Sequence, residues 1–153
     1  MQEHLNEWLY RQIVDGAQDA IIHADREGRI ALWNSGAAVV FGYSAEEAIG
    51  QSLDLIIPER LRSRHWEGYH RVMATGSTRY GRESLKVPAV RKDGARISVE
   101  FTMILVRSPD EELSGCAAII QDVTARWQKE QELKSKERRC SHVLLPMRTD
   151  SQG

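Results

Sequence analysis

The chain holds 153 residues, 41% of them hydrophobic and 28% charged, with a formal net charge of -1. That length fits one globular domain with terminal helices, and the composition excludes disordered and fibrous classes. The near-zero charge offers no basic field for nucleic acid or an anionic membrane, and no apolar run approaches the roughly 20 residues of a spanning helix.

Residues 3–14 place Leu5, Trp8, Leu9, Gln12 and Ile13 at helical spacing, which predicts an amphipathic helix ended by Asp15-Gly16. Its acidic start is unlike a secretory signal peptide, and a cytoplasmic protein is expected. Two short strands follow, 20–24 and 29–33, joined by the turn composition Asp25-Arg26-Glu27-Gly28. Asn34-Ser35 offers a helix N-cap, because a short polar side chain accepts from the first free N–H groups. Gly36, Gly42 and Gly50 then punctuate several short helical pieces, and Ser44-Ala45-Glu46-Glu47 is a capping-box pattern.

Pro58 can open a longer helix over 59–74, closed by Thr75-Gly76. Three strands are predicted next, over 80–90, 95–106 and 116–121, with Lys92-Asp93-Gly94 and Ser108-Pro109-Asp110 as turns. Residues 124–139 read as a charged exit helix with a weak apolar edge of Val123, Trp127 and Leu133. Residues 140–153 lack periodicity and are expected to be poorly ordered. The domains expected are therefore a flanking helix (1–15), a folded domain (16–123), the exit helix (124–139) and a tail (140–153). The fold class is α+β: a five-stranded antiparallel sheet with short helices and one longer helix cupped over one face, an architecture suited to a small ligand.

No catalytic constellation emerges. His4, His23, His65, His70 and His142 are scattered without a HExxH pattern, and neither GxSxG nor GxxxxGK[ST] occurs. Glu46-Glu47 and Glu111-Glu112 read as solvated turn residues. Cys116 and Cys140 make no CxxC, zinc or haem-attachment spacing, so they read as structural thiols. A non-enzyme is expected.

Five segments in this order resemble the PAS family of sensory modules: Ile30-Ala31-Leu32-Trp33-Asn34, Phe41-Gly42-Tyr43-Ser44-Ala45-Glu46-Glu47, Ile49-Gly50-Gln51, Arg91-Lys92-Asp93-Gly94 and Asp122-Val123-Thr124. The resemblance covers residues 15–125 and implies a sensor or interaction module feeding an output through its terminal helices. No output domain lies within these residues, so a separate signalling protein is an expected partner. The stretch Arg62-Ser63-Arg64-His65 looks like the corresponding helix of the haem-binding PAS domains in bacterial oxygen-sensing histidine kinases. A gapless match from there to Arg91-Lys92-Asp93-Gly94 implies His65 as proximal iron ligand, with Arg71 and Arg79 at positions contacting the haem propionates. Leu85 falls where those sensors carry a distal arginine, which implies an apolar distal side.

The residues themselves agree in part with a b-type haem, which needs an imidazole, an apolar slot and cations at the rim. His65 shares a helical stripe with Leu61, Gly68 and Val72, and Gly68 leaves room for a flat ring. His70 lies about 140° further round at 3.6 residues per turn, so it is not aimed with His65. Strict alternation puts Ile97, Val99, Phe101 and Met103 on one strand face. Met103 is then either a core-filler or a sixth iron ligand. Flavin ranks below haem, because Ile49-Gly50-Gln51-Ser52-Leu53-Asp54 lacks the cysteine of photoactive flavin PAS domains. The competing reading is an interaction module without haem, empty or holding another small ligand. Either way a homodimer through the N-terminal helix and the sheet is expected.

Overall fold

The computed structural model describes residues 2–78 and 83–152, with side chains described as far as Arg139. Residues 1–122 and 123–153 form two units. The first holds helix α1 (Gln2–Gly16), strands β1 (Ala20–Asp25) and β2 (Ile30–Trp33), and helices α2 (Ser35–Phe41) and α3 (Ala45–Ala48). Two 3-10 turns, Leu53–Ile56 and Glu59–Leu61, lead into α4 (Arg62–Thr75), followed by β3 (Leu85–Val90), β4 (Arg96–Arg107) and β5 (Leu113–Asp122). The sheet runs β2-β1-β5-β4-β3 with every neighbouring pair antiparallel.

Alternation sets the two faces of the sheet. Ala20, Ile22 and Ala24 of β1, with Ile97 and Val99 of β4 and Ile120 of β5, turn inward. There all but Ala24 meet Ala37, Val40 and Phe41 of α2, Ala48 of α3 and Ile56, while Ala24 joins Tyr69 and Met73 of α4. Leu32, Ile104 and Ile119 stay exposed on the outer face, in one register with His23, Ala117, Thr102 and Ile21.

Asn34, only 2% exposed, holds the first half together. Its side-chain oxygen accepts from Ala37 N at 2.9 Å, capping α2, and from Ile21 N at 2.8 Å. Its amide donates to the carbonyls of Val14 (2.7 Å) and Asp19 (3.0 Å). All four bonding positions of the amide are thereby satisfied, as a buried amide requires. Ser44 and Glu47 form the expected capping box on α3.

The β3–β4 turn docks on the far end of α2. Arg91 donates to Val40 O at 2.6 Å, Lys92 N donates to Phe41 O at 2.9 Å, and the Lys92 ammonium pairs with Glu47. The Arg91 guanidinium and the Lys92 backbone N–H thus satisfy the last carbonyls of a helix whose C-cap, Gly42, is left-handed at φ 84.

Several boundaries differ from the sequence reading. The helix expected over 59–74 is divided, because Glu59–Leu61 winds as a 3-10 turn before α4 begins at Arg62. β3 starts at Leu85 rather than at residue 80, and residues 79–82 lie outside the described set. β5 starts at Leu113, three residues early, since the Ser108–Glu112 turn closes tightly enough to pair Arg107 with Leu113. In the second unit, α5 spans Thr124–Gln152, beyond Arg139 where the charged pattern was expected to stop. Residues 140–152, where a poorly ordered tail was expected, continue the backbone of this helix, and their side chains lie outside the described set. No helix among the described residues is long and apolar enough to cross a membrane.

Candidate functional site around His65

α4 runs along the inner side of the domain with Tyr69 and Met73 as its buried residues. The stripe of Leu61, His65, Gly68 and Val72 is half-buried and borders this face. The reason is a hydrogen bond: the Tyr69 hydroxyl donates to the Asp25 carbonyl at the β1–β2 turn, which fixes the rotation of the helix. Burial, with Cys116 and Asp25 nearby, pushes the Tyr69 hydroxyl well above its ordinary pKa.

Trp66 supplies the second anchor. Its indole N–H donates to Asp54 Oδ1 at 2.8 Å, and its ring lies over Gly28. Arg62 also turns to Asp54 and to the carbonyl of Ile57, so it is held by the 3-10 segment.

His65 sits half-buried between these aromatics, 4.8 Å from the Trp66 ring edge-on and 5.8 Å from the Tyr69 ring, centroid to centroid. Its Nδ1 is buried and has no hydrogen-bond partner. Burial lowers the His65 pKa, opposed by the Asp54 carboxylate and reinforced by His70, so the neutral imidazole is favoured. Leaving a buried polar atom unmatched costs about 1–3 kcal/mol. A neutral imidazole with an unsatisfied nitrogen is the chemical form that binds a metal. His70, exposed, stacks on Trp66 with ring centroids 5.8 Å apart.

The other expected site residues divide. Leu85 and Phe101 are half-buried and face each other in the β3–β4 register. Met103, paired with Ala118, packs against the cluster that contains Tyr69, Met73 and Cys116, so alternation placed the apolar face correctly. Arg71 is exposed on α4, and Arg79 lies outside the described residues. A side chain built at Gly68 would meet nothing within 4 Å, so there is free space beside the helix next to His65.

These features fit a haem: an unpaired buried imidazole nitrogen, apolar side chains on β3 and β4, free space at Gly68 and an exposed cation at Arg71. Among the described residues no cluster of three or more His, Cys, Asp or Glu side chains could hold a metal ion by itself. Trp66, Tyr69, Asp54 and Gly28 were not singled out from the sequence. An indole and a phenol on one helix were the available signal, but their partners lie far off in the chain.

The family model for the PAS fold, a sheet of this order with helices on one face, matches residues 9–123. The chain belongs to the PAS family and is a sensory domain of the kind that signal-transduction proteins carry. It is 29% identical over 133 residues to the sensor protein FixL of Bradyrhizobium diazoefficiens, covering 87% of this chain and 26% of that protein. It is 30% identical over 103 residues to the oxygen sensor protein DosP of Escherichia coli, covering 67% of this chain and 13% of DosP. The chain thus spans only a small part of either relative. The crystal structure of a PAS domain from Colwellia psychrerythraea superposes with a TM-score of 0.67 at 23% identity, covering 77% of this chain and 97% of that one, which shows the fold.

Proposed function

We propose that this chain is a non-catalytic sensory domain that holds a b-type haem in its cup, with His65 as the proximal ligand, and responds to a diatomic gas or to redox state. The observation that carries this reading is the buried, unpartnered Nδ1 of a neutral His65 within Arg62-Ser63-Arg64-His65. Leu85, Phe101 and Met103 would supply the apolar wall, with Met103 the candidate for a sixth ligand. Arg71 and Arg79 would meet the propionates at the rim. When bound, haem supplies an iron centre whose free position takes a small gas or whose charge follows the surroundings. FixL is named a sensor and DosP an oxygen sensor, which supports the same direction. The free thiol of Cys116 suits a reducing compartment such as the cytoplasm.

The test is an absorption spectrum of the protein as purified and after haem addition, in ferric, ferrous and carbon-monoxide forms. A stoichiometric Soret band that disappears in His65→Ala is expected. Full haem affinity and an unchanged spectrum in that variant would overturn the assignment.

The second reading, a haem-free module that works by assembly with a second copy or a signalling partner, rests on α1. Leu5, Trp8, Leu9 and Ile13 are all exposed on it, beside an outer sheet face where Leu32, Ile104 and Ile119 are exposed too. Such surfaces are commonly covered by a partner.

A further inference from the structure

Several carbonyls at the C-terminal end of α4 are bonded within the fold. Gly76, left-handed at φ 69, donates its N–H to Val72 O, and Thr75 Oγ1 donates to Arg71 O at 2.8 Å. Two further carbonyls are met by guanidinium groups from elsewhere in the fold. Arg26, in the β1–β2 turn, donates to Met73 O at 3.4 Å and to Leu113 O at 2.9 Å. Arg107, at the end of β4, donates to Gly76 O at 2.9 Å and to Glu111 O at 3.2 Å. Each guanidinium therefore bridges one carbonyl at the end of α4 and one carbonyl at the β4–β5 connection.

The Arg107 contact falls on a strained turn. Glu111 has φ 65, the left-handed region that a side chain with a Cβ adopts only at a cost. A cation at a helix C-terminus complements the helix dipole, and a planar fork can hold two acceptors in fixed geometry where an ammonium cannot. Both side chains are exposed, so the bridges can be made and broken without disturbing the core.

We propose that Arg26 and Arg107 form a double strap that couples α4 to the β4–β5 hairpin, making them positioning residues through which a displacement of the His65 helix reaches β5. β5 ends at Asp122, two residues before α5 begins, so the strap acts on the strand that continues into the exit helix. The transmission of a ligand state rests on the haem reading above; the strap itself does not.

The experiment has two arms on the full chain, with Arg→Gln and Arg→Lys variants at each position. In the first, hydrogen exchange is followed without added haem. Arg26→Gln should speed exchange at both the last turn of α4 and residues 111–115, by about tenfold, and Arg107→Gln should do the same. Exchange in β1 and α2 should hold. Lysine should fail to restore protection at either position. A loss confined to one of the two elements, or full restoration by lysine, would overturn the strap. In the second arm, haem-loaded protein is compared with and without carbon monoxide. The wild-type chain should change exchange across 113–122, and the double Arg→Gln variant should lose that change while keeping its Soret band. A double variant that retains the change would overturn the relay. If no Soret band forms at all, the haem reading fails and the first arm alone decides the strap.

Discussion

Trp66 lies so close over Gly28 that a methyl group on the glycine would stand 2.1 Å from the indole Cη2. Gly28 is also left-handed, at φ 81. The turn therefore needs glycine twice, once for its backbone and once for the ring of α4. Gly94 separates the two effects, because it has φ 87 and nothing within 4 Å of a built Cβ. Gly94→Ala should cost about 1 kcal/mol through the backbone alone. Gly28→Ala should cost about 2 kcal/mol more than that, through the clash with a packed ring. Urea unfolding of both variants checks this, and equal losses would show that the indole does not rest on the turn.

The four bonds of Asn34 give a second prediction. Asn34→Ala strands two N–H groups and two carbonyls, and a loss of about 2–4 kcal/mol is expected by denaturant titration. Asn34→Asp is more discriminating. It keeps the acceptor for Ile21 and Ala37 but sets an oxygen against the carbonyls of Val14 and Asp19. The domain should stay folded while the junction after α1 opens, so a non-specific protease should cut near residues 15–19 before it cuts elsewhere. Protection of that junction equal to wild type would contradict the role given to the side-chain amide.

Asn34 also explains why so much of the fold was legible in the sequence. The segments that carry the family resemblance are the ones that bond to each other: Asn34 caps α2, Phe41 and Gly42 end it, and Arg91 and Lys92 close that end while Lys92 reaches Glu47. Each has a short-range signature, a cap, a turn or a capping box, so the chain announces it locally. The site was harder to read. α4 carries Trp66, Tyr69, Val72 and Met73 on more than one side, so its period does not fix its rotation. The bond from Tyr69 to Asp25 O fixes it, and no local pattern specifies that pairing. His65 could be named from its context, but its place at the margin of the buried face depends on that distant carbonyl.

Cys116 yields a pH prediction. Burial pushes its thiol up to about 11, only partly offset by a backbone hydrogen bond at Ile104. An acid whose pKa is raised on folding contributes stability below its unfolded value, and that contribution is lost as pH rises toward the folded one. Between about pH 8.5, the ordinary thiol value, and about pH 11 the chain should weaken, and Cys116→Ala should weaken less over the same interval. Tyr69, raised in the same direction, adds to the loss above its ordinary pKa of about 10. At pH 8.5 alkylation of Cys116 should run on the order of a hundredfold slower than that of an exposed thiol, with peptide mapping to follow Cys116 by itself. Rapid alkylation in the folded chain would mean the thiol is accessible.

The N-terminal helix tests the assembly that both functional readings share. α1 is tied to the domain at its last turn, where Val14 and Asp15 carbonyls accept from Asn34 and Ser35, and it buries no residue of its own. A groove of about 340 Å³ lined by Tyr10, Arg11, Val14, Asp15 and Leu32 joins it to the outer sheet face. Trp8 and Leu9 remain 60% and 47% exposed, so a charge at Leu9 disturbs little inside one chain. A standard interface takes about 800 Å² from each partner, an area that several large half-exposed apolar side chains on a helix and a sheet can supply together. Leu9→Glu should therefore yield a monomer by light scattering at concentrations where the wild-type chain is a dimer, with unchanged circular dichroism and urea midpoint. A variant that stays dimeric would remove α1 from the interface, and a variant that unfolds would show that α1 supports the domain itself.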